Sequence, residues 1–119
     1  MKLSQLQKTI LKLALAKADR REKGLIPKQR PTIYGFMPDP LFSIDVTPAN
    51  VKVAYYGFHL RKKGNFSFCV PEIGFTRYRS AGVAISRSFA ALARKGLVTR
   101  HYDGICLTDF GRKVILSKR

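Results

Sequence analysis

The sequence predicts a mainly helical α+β fold in which three helices precede a small β-hairpin and a fourth helix follows it. Three observations predict it. Residues 4–22, 47–61 and 79–96 each carry apolar positions at helical spacing, with capping residues at one or both ends. Asp103 and Gly104 stand between two short apolar runs, which reads as a hairpin over 97–107. Thr108 then opens a last helix, 109–117. The 119 residues fit one domain, and 45% hydrophobic with 11% aromatic residues suffices for a packed core.

In the first helix, 4–22, Ser4 and Gln7 make the S-x-x-Q capping box that satisfies two free N-terminal amides. Leu6, Ile10, Leu13 and Ala14 share one face, and Leu11, Leu15 and Ala18 widen that arc beyond what one core contact needs. The second strip fits either a helix sandwiched within its own fold or a homodimer interface built on Leu11, Leu15 and Ala18. The dimer is the expectation carried forward, because symmetric pairs are the commonest oligomers.

Residues 23–46 break the helical pattern. Pro27, Pro31, Pro38 and Pro40, with Gly24 and Gly35, exclude a long helix. Tyr34, Phe36, Leu41, Phe42 and Ile44 predict an ordered loop packed on the body of the protein. Helix 47–61 starts at Thr47 as N-cap with Pro48 in the first turn, and Val51, Ala54, Tyr55 and Phe58 form its stripe. Residues 62–76 form a long link in which 65–70 reads as a short strand ended by Pro71 and Gly74. In helix 79–96, Ala81, Gly82, Ile85, Phe89, Leu92 and Ala93 face inward. Ser80, Val83, Arg87, Ala90, Ala91 and Arg94 face out, and Gly96 occupies the left-handed cap position. In the hairpin, strands 97–101 and 105–107 flank Tyr102-Asp103-Gly104, and Val114 and Ile115 turn the last helix inward.

Charge narrows the function. Lys and Arg number 23 against 7 Asp and Glu, a formal +16. Self-repulsion at that charge calls for an anionic partner, and a phosphate backbone is the obvious one. No apolar run approaches the roughly 20 residues of a spanning helix, and no apolar block with a small-residue cleavage site marks a signal peptide. A cytoplasmic, nucleoid-associated protein without membrane contact is expected. The acids Asp19, Glu22, Asp39, Asp45, Glu72, Asp103 and Asp109 are scattered, so no carboxylate pair or triad is implied and no enzyme is expected. Cys69 and Cys106 form no CxxC pair, and His59 and His101 lack zinc-ligand spacing. Two reduced thiols, no metal and no cofactor are therefore expected.

Helix, helix, helix, β-hairpin, helix is the order of a winged helix-turn-helix. The stretch ISRSFAALARKGLVTRHYDGICLTDFGRKVI carries a further resemblance, through Ser86, Arg87, Leu92, Lys95, Gly96, Leu97, Val98, Leu107, Thr108 and Gly111. It resembles the recognition helix, wing and following helix of MarR-like bacterial and archaeal regulators. The resemblance covers about the last third of the chain and implies a winged-helix DNA-binding regulator. It places Ser86 and Arg87 in the recognition helix.

Physical reading of the residues reaches the same region. A helix fits the B-DNA major groove, Arg bonds guanine bidentately, and small residues such as Ala90 and Ala91 permit close approach. Ser80, Arg87 and Arg94 are thus candidate base or backbone contacts on the helix face. Arg77, Tyr78 and Arg79 are candidate phosphate contacts at or before the helix start. Arg100, His101 and Tyr102 sit at the wing tip, placed for the flanking backbone. Phe89 reads as core, His101 as an exposed loop residue rather than a pH switch, and Tyr55, Tyr56 and Phe58 as core rather than a stacking platform. Basic clusters at 17–23 and 61–63 read as solvated helix ends able to add non-specific phosphate contacts. The expectation is a sequence-specific, dimeric regulator that binds duplex DNA. The rivals are an architectural protein coating DNA, an RNA-binding or ribosome-associated winged helix, and a protein–protein adaptor.

Overall fold

A computed structural model describes residues 2–26, 28–38, 42–58, 68 and 70–117. The described residues form five helices and two two-stranded antiparallel hairpins, a mainly helical α+β arrangement. Along the chain these are α1 (Gln5–Glu22), β1 (Gln29–Thr32), β2 (Gly35–Pro38), α2 (Pro48–Ala54), α3 (Val70–Ile73), α4 (Phe75–Arg94), β3 (Val98–His101), β4 (Gly104–Leu107) and α5 (Asp109–Ser117).

Helix α1 begins as its sequence dictates. Ser4 Oγ accepts from the Gln7 amide at 3.1 Å, and Gln7 Oε1 accepts from the Ser4 amide at 3.0 Å. Its wide apolar arc is buried throughout: Ile10, Leu11, Ala14, Leu15 and Ala18 all lie in the interior. The helix packs against α4, β4 and α5 of the same chain. This corrects the expectation that Leu11, Leu15 and Ala18 seat a second subunit. The two strips of the arc are both covered by the chain itself, and a partner could reach them only by opening the core.

The proline-rich stretch after α1 is not a loop packed on the body. It contains the β1–β2 hairpin, in register Gln29↔Pro38, Arg30↔Met37, Pro31↔Phe36 and Thr32↔Gly35. Ile33, Tyr34 and Phe36 lie in water. Only its far end behaves as expected. Ile44, Asp45 and Val46 are buried, and Val46 pairs antiparallel with Ile105 of β4. The Val46 amide donates to Ile105 O at 3.1 Å and the Ile105 amide to Val46 O at 2.9 Å. One residue of chain thereby extends the β3–β4 hairpin to a third row. Asp45 anchors this segment: its Oδ1 meets Arg21 at 2.7 Å and its Oδ2 accepts from the Leu107 amide at 2.7 Å.

Thr47 caps α2 by accepting from the Asn50 amide, and Asn50 returns the bond to the Thr47 amide, with Pro48 in the first turn. The helix ends at Ala54 rather than 61, and Gly57 takes a positive φ of 71° just beyond. Val51 and Phe58 of the expected stripe are buried, whereas Ala54 and Tyr55 are exposed because the helix stops before they complete a face. The remainder of that expected helix, the basic cluster 61–63, residues 65–67 and 69 of the expected strand, and Cys69 lie outside the described residues. Val70 and Pro71 belong to α3 instead of a strand, and Gly74, at φ 98°, is the N-cap of α4.

Helix α4 therefore starts four residues earlier than its apolar pattern suggests, at Phe75 instead of 79. Ala81, Ile85, Phe89 and Leu92 form its buried face. It ends in a Schellman cap: the Leu97 amide donates to Leu92 O and the Gly96 amide to Ala93 O, each at 3.0 Å. The β3–β4 pairing runs Val98↔Leu107 to His101↔Gly104, so the turn is Tyr102-Asp103 and Gly104 belongs to the strand. Gly104 is not a turn glycine. A Cβ there would stand 2.0 Å from Val46 O, so glycine is what lets the Val46 segment approach. Gly111 plays the equivalent part for α5, where a Cβ would stand 2.0 Å from Leu97 O.

Thr108 joins these elements. Its hydroxyl accepts from the Gly111 amide at 3.0 Å and donates to Gly96 O at 2.7 Å. Thr108→Ala removes an N-cap and a tie across the hairpin base, and is expected to cost about 1–2 kcal/mol in urea unfolding. A loss within error of zero would show the cap to be idle. Ile10, Val46, Val51, Ile85, Leu92, Leu97, Ile105 and Ile115 form the fully buried centre where α1, α4, α5 and the β3–β4 hairpin meet.

Candidate nucleic-acid interface

With Ala81, Ile85 and Leu92 committed to the core, the 100° step of the helix puts Arg79, Ser80, Val83, Arg87, Ala90 and Arg94 on the opposite side of α4. Arg79, Ser80, Val83, Arg87 and Arg94 are exposed, and Ala90 is half-buried. Arg79, Ser80, Val83, Ala84 and Arg87 line one open concavity. Arg87, Ser88, Ala90, Ala91 and Arg94, with Gln7 of α1, line the next. Arg87 borders both. From Arg79 to Arg94 the helical rise spans about 22 Å, with Arg87 near the middle.

A third concavity lies between α4 and the β3–β4 hairpin. Gly82, Ser86 and Phe89 form one wall, Arg100, His101, Tyr102 and Gly104 the other, and Pro48 closes it. It holds only about 90 Å³, well below the roughly 300 Å³ a small-molecule site needs. It is a seam joining helix and hairpin into one surface, and it brings Ser86 next to the three expected wing residues. Arg100, His101 and Tyr102 are exposed, and the His101 Nε2 lies 3.2 Å from Thr99 Oγ1.

Two expected contacts fall elsewhere. Because α4 begins at Phe75, Arg77 and Tyr78 are already helical and rotate away from the Arg87 face. The Arg77 guanidinium sits 5.3 Å from the Phe58 ring centroid. The Tyr78 ring is half-buried, 6.3 Å from Phe58 and 5.8 Å from Phe68, with Lys52 Nζ 4.2 Å from its centroid. Tyr78 is thus part of an aromatic cluster that also includes Tyr55 and Tyr56. Phe58 is the buried centre of that cluster, as its spacing suggested. Burial pushes the Tyr56 phenol above its ordinary pKa, with the Tyr55 phenol adding to the effect. The cluster was not legible locally, because Phe68 and Tyr78 are brought to Phe58 from across the link. Val83, a large apolar side chain on the outward face, is the member of the surface that charge-based reasoning passed over.

The electrostatics are one-sided. Residues 73–102 contain Arg77, Arg79, Arg87, Arg94, Lys95 and Arg100 and no carboxylate. Ion pairs join Arg21 to Asp45, and Arg112 to both Asp19 and Glu22, all on the α1–α5 side. Asp19, Glu22 and Asp45 thus tie α1 to α5 and to the Asp45 segment, and α4 carries no carboxylate, while Asp103 stands in the hairpin turn beside Arg100 and His101.

Cys106 is a half-buried free thiol that donates to Ser43 O at 2.7 Å, and burial raises its pKa. Among the described residues no His, Cys, Asp or Glu group is arranged to hold a metal ion, and no helix is long and apolar enough to cross a membrane. Comparison of the chain with protein-family models, with curated proteins and with solved structures gives no match.

Proposed function

We propose that this chain is a winged helix-turn-helix protein that binds duplex DNA sequence-specifically, as a transcriptional regulator does, through α4. The observation that carries the reading is the outward face of α4: exposed arginines interleaved with small residues, free of carboxylates, and continuous with a hairpin that exposes Arg100, His101 and Tyr102. In this reading α1, the Val46 row, α2, α4, the β3–β4 hairpin and α5 follow the winged-helix order, with the Val46–Ile105 pairing as the short first strand. Residues behind the MarR-like resemblance have structural work that suits it. Gly96 ends the recognition helix, Thr108 caps α5, and Gly111 admits the Leu97 carbonyl.

The mechanism follows from groove geometry. Helix α4 enters the major groove, where Arg87 faces base edges and Ala90 and Ala91 allow the approach. Arg79 and Arg94 lie about 12 Å and 10 Å to either side of Arg87 and contact phosphates that set register. Arg100, His101 and Tyr102 grip the adjacent backbone. Since the α1 strip is buried, a second copy at the site would have to dock through another surface.

Arg87→Ala tests the assignment. Loss of a bidentate guanine contact is expected to cost about 1–3 kcal/mol on the preferred duplex and to flatten preference at one base pair. Arg79→Ala should instead weaken all sequences alike and lower the salt slope by about 1. If Arg87→Ala weakens every sequence equally, with folding intact, Arg87 is only a phosphate contact and the readout role is lost.

A further inference from the structure

The β1–β2 hairpin has no part in the surface just described, yet its side chains need explaining. Ile33 is 91% exposed, Tyr34 86% and Phe36 72%. Two strands of four residues are marginal in water by themselves, and apolar groups at the tip cost solvation. The tip is nevertheless well defined. Thr32 Oγ1 donates to Gly35 O at 2.8 Å and accepts from the Tyr34 amide at 3.1 Å.

Strand addition by a second copy is disfavoured by the register. In an antiparallel ladder, alternate residue pairs exchange backbone bonds and the pairs between them point their amides outward. Pro31 faces Phe36 and Pro38 faces Gln29, two positions apart, so both prolines take the outward class. Pro31 thus removes a donor from the free edge of β1 and Pro38 one from that of β2. Prolines so placed leave the ladder intact and blunt both edges against a third strand. What remains for recognition is the side chains of the tip.

Their setting is basic. Arg30 lies on the ribbon and Lys23 and Lys28 precede it, with Glu22 before and Asp39 after this stretch, in a chain of net charge +16. An apolar tip on a two-stranded ribbon that carries Arg30 and no acid, in a chain of net charge +16, is complementary to the minor groove of duplex DNA, where apolar wedges part base steps and cations meet the flanking phosphates. We propose that the β1–β2 hairpin is a minor-groove arm, with Ile33 and Tyr34 as the wedge and Phe36 behind them. The proposal rests on duplex DNA being the partner of the α4 surface and adds a second, independent grip that deforms the duplex.

Dimethyl sulfate footprinting on a short mixed-sequence duplex separates the two grips, because it reports guanine N7 in the major groove and adenine N3 in the minor groove. The unaltered chain is expected to shield both. The triple variant Ile33→Ser, Tyr34→Ser, Phe36→Ser changes only exposed residues. It is expected to lose the adenine N3 shielding, keep the guanine N7 shielding, and bind about tenfold more weakly. Guanine shielding without any adenine shielding, or adenine shielding unchanged in the variant, overturns the arm and leaves the α4 reading standing. Adenine shielding that depends on the tip, without guanine shielding, keeps the arm and removes the α4 reading. Tip-dependent capture by phosphatidylserine vesicles, or tip-dependent self-association in sedimentation, with DNA unshielded, also overturns the arm.

Discussion

Asp45→Ala is expected to destabilise the fold by about 3 kcal/mol, the lower end of what removing one partner of a buried ion pair costs. The carboxylate is 2% exposed and has two jobs. One oxygen meets Arg21 of α1, and the other accepts from the Leu107 amide of β4. Alanine leaves a buried amide without its acceptor and the Arg21 guanidinium without its carboxylate, with its bond to Phe42 O remaining. Because Arg21 keeps some access to water, its loss is softened, which sets the figure at the low end. Asp45→Asn retains an acceptor for Leu107 and removes the charge pair, so it should fall between the natural chain and alanine. Urea unfolding with unchanged slope measures both. Equal losses for Asn and Ala would mean that the Leu107 bond contributes nothing.

Gly104→Ala should be comparably damaging, by about 3 kcal/mol, for a steric reason. A Cβ at 104 would lie 2.0 Å from Val46 O and 2.9 Å from Ile44 Cγ2. Backbone, not a flexible side-chain end, must move, and the three backbone bonds linking residues 45 and 46 to Ile105 go with it. Gly82→Ala is the internal control. It sits inside α4 with nothing within 4 Å of a new Cβ, so it should stabilise by about 1 kcal/mol through helix propensity alone. If both substitutions behaved alike, the close approach at Gly104 would be wrong.

These two sites show where the sequence was readable and where it was not. Local signals were faithful. The Ser4–Gln7 box, the Thr47 and Thr108 caps, the buried face of α4 and its Gly96 cap all depend on residues within one or two turns. What failed was non-local. The arc of Leu11, Leu15 and Ala18 was visible, but three elements of the same chain cover it, and nothing local tells a neighbouring helix from a neighbouring subunit. Gly104 looked like half of an Asp-Gly turn, while its reason for being glycine is the Val46 backbone, far away in sequence. The β1–β2 hairpin escaped because each four-residue strand contains a proline, the residue that ordinarily argues against strands. Its register supplies the resolution by placing both prolines outward. The start of α4 was missed because Gly74 caps it with no side-chain hydrogen bond, so no capping residue announced it. With α4 beginning at Phe75, Arg77 and Tyr78 are helical and lie beside the Phe58 cluster, whereas the positions of Arg87, Arg94, Ser86 and the hairpin residues do not depend on where the helix begins.

The central claim is that α4 reads base sequence in duplex DNA. Selection from a random duplex pool at near-physiological salt, with sequencing of the bound fraction for the natural chain and for Arg87→Ala, tests it most directly. The account predicts an enriched motif containing a guanine whose enrichment disappears in Arg87→Ala. Strong binding with no enriched motif from the natural chain would contradict it and leave the charge of +16 serving a sequence-blind coat.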